Sequence, residues 1–222
     1  ILFFLDTVSI RVFFLSRGLG VVYKRQRCTP LLEALAAINH GEVMSLTEKQ
    51  FGVLKRIIVG LSIALCIVGL GSYMNPFGYN ETFEPINKLH IAILCCLVPT
   101  FFLAVSIGRL AKHRFLTPED IDGGGLSAGT PQAKLLQSLL QNTIEQALLA
   151  SLVYCAWATV MPTTWLSTVP IAAIAFGAGR ILFFSGYNRG AAARAIGFTL
   201  SFYPSLIMLF TMIGVLLWRQ IS

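Results

Sequence analysis

The chain has 222 residues, of which 55% are hydrophobic and only 12% are charged, and its mean hydropathy is +0.73. Soluble domains carry about 25% charged residues, so this composition excludes an ordinary soluble protein and indicates an integral membrane protein. In a soluble chain the net charge of +7 would suggest a nucleic-acid partner. Here the basic residues cluster in short connections between apolar runs, as the positive-inside rule describes, and we expect no nucleic-acid binding.

The beginning of the chain, residues 1–43, contains apolar stretches that are interrupted by scattered charges. No uninterrupted run there has the length of about 20 residues that a bilayer requires. The letters VVYKRQ at residues 21–26 resemble translated sequencing-adapter sequence, and a capped helix start follows Met44. We therefore expect residues 1–43 to be a non-native or disordered leader. The alternative is a signal peptide or amphipathic anchor at residues 1–26.

Five apolar runs follow, and each has the length of a membrane-spanning helix at 1.5 Å per residue. The runs cover residues 57–74, 89–108, 135–160, 166–186 and 195–218. The second run contains Pro99, which membrane helices tolerate. The sequence therefore predicts an all-α protein, an integral membrane helical bundle with lipid as its surroundings.

The connections between the runs predict the orientation in the membrane. One side carries many more basic residues than the other, and its members are Lys49, Lys55, Arg56, Arg109, Lys112, Arg114, Lys134, Arg189 and Arg194. The opposite side carries Lys88 and Arg219. The positive-inside rule places the Met44 end and the basic loops in the cytoplasm and the C-terminus outside. We expect a bacterial inner membrane as the location.

The cysteines and the longest polar connection predict no metal site. Four of the five cysteines lie in apolar runs, where cysteine behaves as a small hydrophobe, and their spacing fits neither zinc nor a disulfide framework. The connection at residues 109–134 has three consecutive glycines without the Gly-Lys-Ser/Thr of a P-loop. Its Asp120 and Asp122 lack the later ligands of a calcium loop. We expect a plain flexible connector.

A polar patch, QNTIEQ, lies inside the third apolar run. Asn142 and Glu145 are three residues apart, so they lie on neighbouring parts of one helix face. Counting from the start of the run places Glu145 about 15 Å deep, and counting back from Tyr187 places Arg180 of the antiparallel fourth helix about 10 Å deep. Ionisable groups at such depth need a partner, so we predict that Arg180 pairs with Glu145 or Asn142. Such a pair either locks two helices together or forms part of a functional site.

Three more polar residues, Tyr187, Arg189 and Arg194, are predicted at the same cytoplasmic end. With Arg180 they would place three arginines and a phenol around the mouth of one cleft. Arginine offers paired donors to carboxylates, so this set suits an anionic ligand. In the alternative interpretation, Arg189 and Arg194 are only the basic residues that the positive-inside rule predicts.

The segments LLQNTIEQALLASLVYCAWA and FGAGRILFFSGYNRGAAARAIGFTLSFYP together resemble the MAPEG family, the membrane-associated proteins in eicosanoid and glutathione metabolism. The family pattern has Asn-x-x-Glu in one membrane helix, an Arg seven residues before a Tyr in the next helix, and an Arg that opens the last helix. The resemblance covers about residues 89–218. The residues that match the pattern are Asn142, Glu145, Arg180, Tyr187 and Arg194.

The resemblance implies a four-helix membrane domain at residues 89–222, preceded at residues 44–88 by one additional spanning helix and its loop. It also implies a homotrimer that binds glutathione between subunits. The implied activity is a glutathione-dependent transferase or peroxidase that acts on lipophilic electrophiles, with no metal. The implied glutathione-binding residues are Asn142, Glu145, Arg180, Arg189 and Arg194, and the implied catalytic residues are Tyr187 and Arg194.

The sequence departs from the family pattern in two places. Arginines that precede the Asn in glutathione-using members are replaced, and the residues on those turns are Leu135, Gln137, Ser138 and Gln141. A tyrosine one turn after the last Arg is replaced by Phe198. These departures predict weaker binding of anionic groups and slow conjugation. The alternative function is a non-catalytic membrane protein of the same fold that binds a lipid or a protein partner; a transporter is a third interpretation, which five helices without a repeat support poorly.

Overall fold

A computed structural model describes residues 48–124 and 126–221 of the chain. Within them the order of the long helices is α1 (Glu48–Tyr73), α2 (Pro85–Leu116), α3 (Pro131–Val160), α4 (Thr168–Gly186) and α5 (Ala191–Ile221). All five are long and apolar enough to cross a membrane, and the described residues contain no strand. The predicted all-α membrane bundle with five spanning segments is therefore confirmed. The expectation for residues 1–43 lies outside the described residues.

The helices continue beyond the predicted apolar runs, because polar residues extend them until a specific stop. Helix α2 ends before Thr117, which is extended and is followed by Pro118, and a residue before proline is disfavoured in the helical conformation. Helix α3 begins after Thr130, whose hydroxyl accepts a hydrogen bond from the backbone N–H of Ala133 at 3.2 Å. That contact satisfies one of the free N–H groups at the helix start. The ends of these two helices are thus set by local chemistry.

Helix α4 is the most deeply buried span. In its most apolar window 67% of the residues are buried, compared with 17% in the corresponding windows of α1 and α2. It packs on the other four helices, while α2 packs mainly on α3 and α1 packs mainly on α5. The core contains the fully buried side chains of Trp157, Phe176 and Met208. The outer faces carry exposed Leu, Ile and Phe side chains, as expected where a helix meets lipid.

Helix α1 packs against α4 and α5 through two glycines. A Cβ added at Gly60 would lie 1.9 Å from Oγ1 of Thr199, and one added at Gly71 would lie 2.6 Å from the Cα of Thr168. Small residues let the backbones of membrane helices approach closely. Next to Gly71, the hydroxyls of Ser72 and Thr168 are 3.0 Å apart. The additional helix is therefore closely packed into the bundle.

Basic side chains connect neighbouring helices near their ends. At one end, Nη1 of Arg56 donates to the carbonyl oxygen of Ala192 at 2.9 Å, next to the start of α5. At the opposite end, Nζ of Lys88 donates to the carbonyl oxygen of Met161 at 2.9 Å, just after α3. The second contact satisfies a backbone carbonyl that the C-terminal end of a helix leaves without an intrahelical partner.

The connector between α2 and α3 is anchored at Asp120, which is 1% exposed. One carboxylate oxygen accepts from the backbone N–H of Thr130 at 2.8 Å, and the other accepts from the Thr130 hydroxyl at 2.5 Å. Nε2 of His113 lies 3.0 Å from that second oxygen. The Thr130 contacts, aided by His113, hold the pKa of Asp120 below its usual range. The expectation of a plain connector missed this anchor.

Candidate functional site

Arg180, in the middle of α4, joins three helices and has no exposed surface. Its Nη1 donates to Oδ1 of Asn142 at 3.1 Å and to the hydroxyl of Thr143 at 3.4 Å, both on α3. Its Nη2 donates to the hydroxyl of Ser201 on α5 at 2.7 Å, and also to Oε1 of Gln146 on α3. The Ser201 hydroxyl in turn donates to the same Gln146 oxygen at 2.6 Å. These contacts form one buried polar cluster.

The approach of α4 to α5 that lets Arg180 contact Ser201 depends on two glycines. A Cβ added at Gly197 would lie 2.3 Å from the backbone nitrogen of Phe183, and one added at Gly179 would lie 2.8 Å from the backbone nitrogen of Ser201. Any larger residue would push the helices apart, since the neighbouring atoms belong to the backbone. The sequence thus places glycines where the buried cluster needs close helices.

The predicted pairing of Arg180 is confirmed for Asn142 and is wrong for Glu145. Successive residues of an α-helix are separated by about 100°, so Asn142 and Gln146 face α4 and α5 together, whereas Glu145 is rotated about 100° from Gln146. Glu145 is exposed, and its Oε1 accepts from Nε2 of Gln141 at 2.7 Å. The Gln141–Glu145 pair therefore lies on the outer surface of the single chain.

The positive charge of Arg180 lacks a carboxylate partner, since the sole ion pair within residues 48–124 and 126–221 is that between His113 and Asp120. All four hydrogen-bond acceptors around its guanidinium are neutral. Its Nε and the Nε2 of Gln146 are buried without a hydrogen-bond partner in the described part of the chain. The cluster therefore leaves a buried positive charge, whose field strengthens where water is excluded.

A row of contacting side chains connects Arg180 to the end of the bundle where α4 leads into α5. The Arg180 guanidinium lies 4.6 Å from the ring centre of Phe183, whose ring is 5.3 Å from that of Tyr187. The Arg194 guanidinium lies 4.5 Å from the ring centre of Tyr187. Contacts of cations with aromatic faces contribute about 0.5–2 kcal/mol each. The row orders Tyr187 and Arg194 relative to the buried cluster.

Arg194 is half-buried, and within the described ranges its guanidinium contacts the Tyr187 ring without making a hydrogen bond to a protein acceptor. Its N–H donors remain available for an external acceptor. Arg189 is exposed at the end of the short 3-10 turn Tyr187–Arg189. Gly190 follows with φ of +97°, a conformation that favours glycine and turns the chain into α5. The structure thus brings Tyr187 and Arg194 together and leaves Arg189 on the surface.

One departure from the family pattern is offset by a residue of another helix. The early turns of α3 lack arginine, but Nη2 of Arg114, from the last turn of α2, donates to Oε1 of Gln137 at 3.1 Å. A guanidinium therefore lies beside the turn where the family has its own arginines. Phe198, which replaces the tyrosine, packs 6.4 Å from Phe183 between ring centres and supplies no hydroxyl.

Sequence reasoning gave no role to three members of the buried cluster. Gln146 was visible in the polar patch, four residues after Asn142 and on the same face of α3. That spacing was the signal that could have selected it over Glu145. Thr143 lies in the same patch, and Ser201 lies in the last apolar run. Hydroxyls in membrane helices commonly bond to their own helix backbone, so no signal in the sequence marks these two residues.

Comparison with known proteins agrees with this geometry. The sequence model of the MAPEG family matches residues 89–214. The chain belongs to the MAPEG family. The match includes the greater part of α2 through α5 and all five pattern residues, while α1 precedes it. No curated protein and no solved structure matches the chain significantly. This MAPEG protein is an integral membrane protein, since its helices are those of a membrane bundle.

Proposed function

We propose that this MAPEG protein is a glutathione-dependent transferase that acts on lipophilic electrophiles from a cleft between the copies of a homotrimer. The observation that carries the proposal is Arg194, a half-buried guanidinium that contacts the Tyr187 ring and whose N–H donors meet no acceptor among residues 48–124 and 126–221. Free arginine donors beside an apolar surface suit the carboxylates of glutathione. Peroxidase activity toward lipid hydroperoxides would use the same residues.

The bonding of Asn142 indicates what it offers to a ligand. Arginine has donors only, so the atom that faces Arg180 is the Asn142 carbonyl oxygen. The amide NH₂ group of the half-exposed Asn142 is therefore turned away from Arg180, where it can donate to a peptide carbonyl or a carboxylate of glutathione. Arg180 has no exposed surface, so we assign it the indirect role of orienting Asn142.

Bound glutathione would supply a thiol whose sulfur, once ionised, attacks the electrophile. A unit positive charge at about 10 Å from a thiolate stabilises it by about 1.7 kcal/mol at an effective dielectric constant of about 20, which lowers the thiol pKa by about one unit. Arg180 and Arg194 provide two such charges on the same side of the bundle. We assign the donation of a hydrogen bond to the sulfur to the hydroxyl of Tyr187, whose half-buried ring contacts Phe183 and the Arg194 guanidinium.

The exposed Gln141–Glu145 pair supports an assembly of several copies, which we propose to be a homotrimer. Glu145 lies about 21 Å from the start of α3 at 1.5 Å per residue, so its carboxylate would face hydrocarbon if the chain were alone in the bilayer. Charged groups at such depth are costly without a partner. A second copy packed against this face of α3 would cover the pair and enclose a cleft beside Asn142. Glu145 then contributes to the cleft from the assembly, rather than by pairing with Arg180.

The helix ends support an orientation with the cleft open to the cytoplasm of a bacterial inner membrane. Lys55, Arg56, Arg114 in the last turn of α2 and Arg189 after α4 gather at the end of the bundle that carries Arg194. Lys88 and Arg219 lie at the opposite end, where each donates to a backbone carbonyl after or at the end of α3. The positive-inside rule makes the first end cytoplasmic.

The test is a glutathione titration of the purified protein in detergent, followed by calorimetry and by thiolate absorbance. We expect wild type to bind, and Arg194→Ala to bind about 10-fold to 100-fold more weakly because a charge-assisted hydrogen bond is lost. Arg219→Ala, on the same helix at the opposite end, is the matched control and should bind like wild type. Native mass spectrometry of the same samples should give three copies.

Unchanged binding in Arg194→Ala would overturn the assignment of the cleft. If wild type fails to bind glutathione at millimolar concentration, the non-catalytic alternative, a membrane protein that binds a lipid or a protein partner, replaces the transferase. A monomer that binds glutathione with full affinity would overturn the proposed intersubunit cleft alone.

A further inference from the structure

Two thiols meet across the contact between α2 and α3. The four cysteines in the described residues are free thiols, and Cys96 and Cys155 are both half-buried. Sγ of Cys96 lies 3.7 Å from the carbonyl oxygen of Ser151, one turn before Cys155 on α3. Cys155 lies one turn after Ser151 on the same face of α3, so its thiol lies next to that of Cys96. Residues far apart in the sequence therefore place two sulfurs side by side.

The two helices are close enough for their side chains to bond. Small side chains line the contact: Ala92 on α2 and Ala150 on α3 are fully buried, and the hydroxyl of Ser106 donates to that of Thr143 at 3.4 Å. Small residues allow helix backbones to approach in a membrane. A disulfide needs Cα atoms about 4.4–6.8 Å apart, which only such close backbones allow. The small residues at the contact between α2 and α3 allow the close backbones that an interhelical disulfide requires.

The pair lies at a depth where lipid can contact it. The bond from Lys88 to Met161 marks the end of the bundle opposite Arg194, and Cys96 is about 12 Å along α2 from Lys88 at 1.5 Å per residue. The neighbouring side chain of Leu97 on α2 is 60% exposed. Molecules dissolved in the hydrocarbon can therefore reach the two half-buried sulfurs.

Metal binding does not account for the pair, because no group of three or more His, Cys, Asp or Glu side chains in the described residues could hold a metal ion. Cys95 is adjacent in sequence but is rotated about 100° around α2. Two thiols without a third ligand are suited to two-electron oxidation. We propose that Cys96 and Cys155 form a redox-active pair that closes to an interhelical disulfide when a lipid hydroperoxide reaches it from the bilayer.

The reaction balances with the hydroperoxide as the oxidant. One of the two thiols, as its thiolate, attacks the terminal oxygen of the O–O bond, which breaks; the sulfur becomes a sulfenic acid, and the lipid leaves as an alcohol after taking up the thiol proton. The second thiol then attacks the sulfenic sulfur, an S–S bond forms, and water leaves. Two thiols and one hydroperoxide thus give one disulfide, one lipid alcohol and one water. Apolar surroundings disfavour the reactive thiolate, so we expect disulfide formation to take minutes to hours.

The experiment uses the full chain, reduced and placed in lipid nanodiscs, with linoleic acid hydroperoxide as the probe. We expect the intact mass to fall by about 2 Da as two hydrogens are lost, one lipid alcohol to form per disulfide, and peptide mapping to identify the Cys96–Cys155 link. Cys96→Ser and Cys155→Ser should each abolish the link. Cys95→Ser and Cys66→Ser are the matched controls and should retain it.

Retention of all five thiols after prolonged treatment would overturn the proposal. A link that involves Cys95 or Cys66, or one that joins two copies of the chain, would do the same. The glutathione titration does not bear on this outcome, because the thiol pair and Arg194 lie at opposite ends of the bundle and are tested with separate variants.

Discussion

Arg180 and Arg194 are two arginines of the same family pattern, and the structure gives them opposite surroundings. Arg180 is fully buried and donates to side chains of α3 and α5, whereas Arg194 is half-buried and lies on a single aromatic ring. Buried donors whose partners come from several helices hold those helices together. Donors without protein acceptors at the edge of the bundle remain available to a ligand. Shared membership in a sequence motif therefore does not imply a shared role.

The largest expected effect is the difference in unfolding free energy between a variant of Arg180 and a variant of Arg194. Arg180→Met leaves Asn142 without its donor inside the bundle and leaves Gln146 with the Ser201 hydroxyl alone. A buried polar group without its partner costs about 1–3 kcal/mol. We expect a total loss of about 3 kcal/mol of unfolding free energy. Arg194→Met loses only the contact with the Tyr187 ring, about 1 kcal/mol or less. Thermal unfolding in detergent, followed by tryptophan fluorescence, measures both. Equal shifts in Tm would show that the two environments do not differ in this way.

An intermediate difference in unfolding free energy is expected between variants of the two glutamines of the polar patch on α3. Gln146→Leu removes an acceptor of both Arg180 and Ser201, and we expect it to lower the unfolding free energy by about 2 kcal/mol. Gln141→Leu removes only a contact with exposed Glu145, and we expect a change within about 0.5 kcal/mol. The same unfolding measurement compares them. A larger loss of unfolding free energy for Gln141→Leu than for Gln146→Leu would mean that the stability of the protein depends more on the outer face of α3 than on the buried cluster.

The smallest effect near neutral pH concerns Asp120, a buried carboxylate in the connector between α2 and α3. Its pKa is below the usual value because of hydrogen bonds from Thr130. A depressed pKa contributes stability that is complete above the unfolded-state pKa of about 3.9 and is lost as the pH falls through the folded-state pKa. We expect Tm to be flat from pH 7 to about pH 5 and to fall below about pH 4. Asp120→Asn should flatten this acid dependence, and identical profiles for the two proteins would contradict the assignment.

Most of the fold could be predicted because the bilayer imposes a simple rule. A spanning helix needs about 20 apolar residues, and five such runs are visible in the chain. The site was less predictable. Depth matching brought Arg180 to the level of Asn142 correctly, but depth does not give rotation about the helix axis. Glu145 has nearly the same depth as Gln146 and faces elsewhere, so the expected ion pair did not form within the chain.

The amino-acid sequence by itself determined the membrane class, the five spans and the MAPEG membership, because length, hydropathy and motif spacing are properties of the chain alone. The tertiary structure decided which polar side chains face each other. It directed Arg180 to Gln146 and Ser201, placed Arg114 beside Gln137, and brought Cys96 to Cys155. Each of these contacts joins different helices, and its geometry depends on how closely the helices approach and how they are rotated about their axes. Those quantities are set by small residues such as Gly179 and Gly197, which act only when the helices pack.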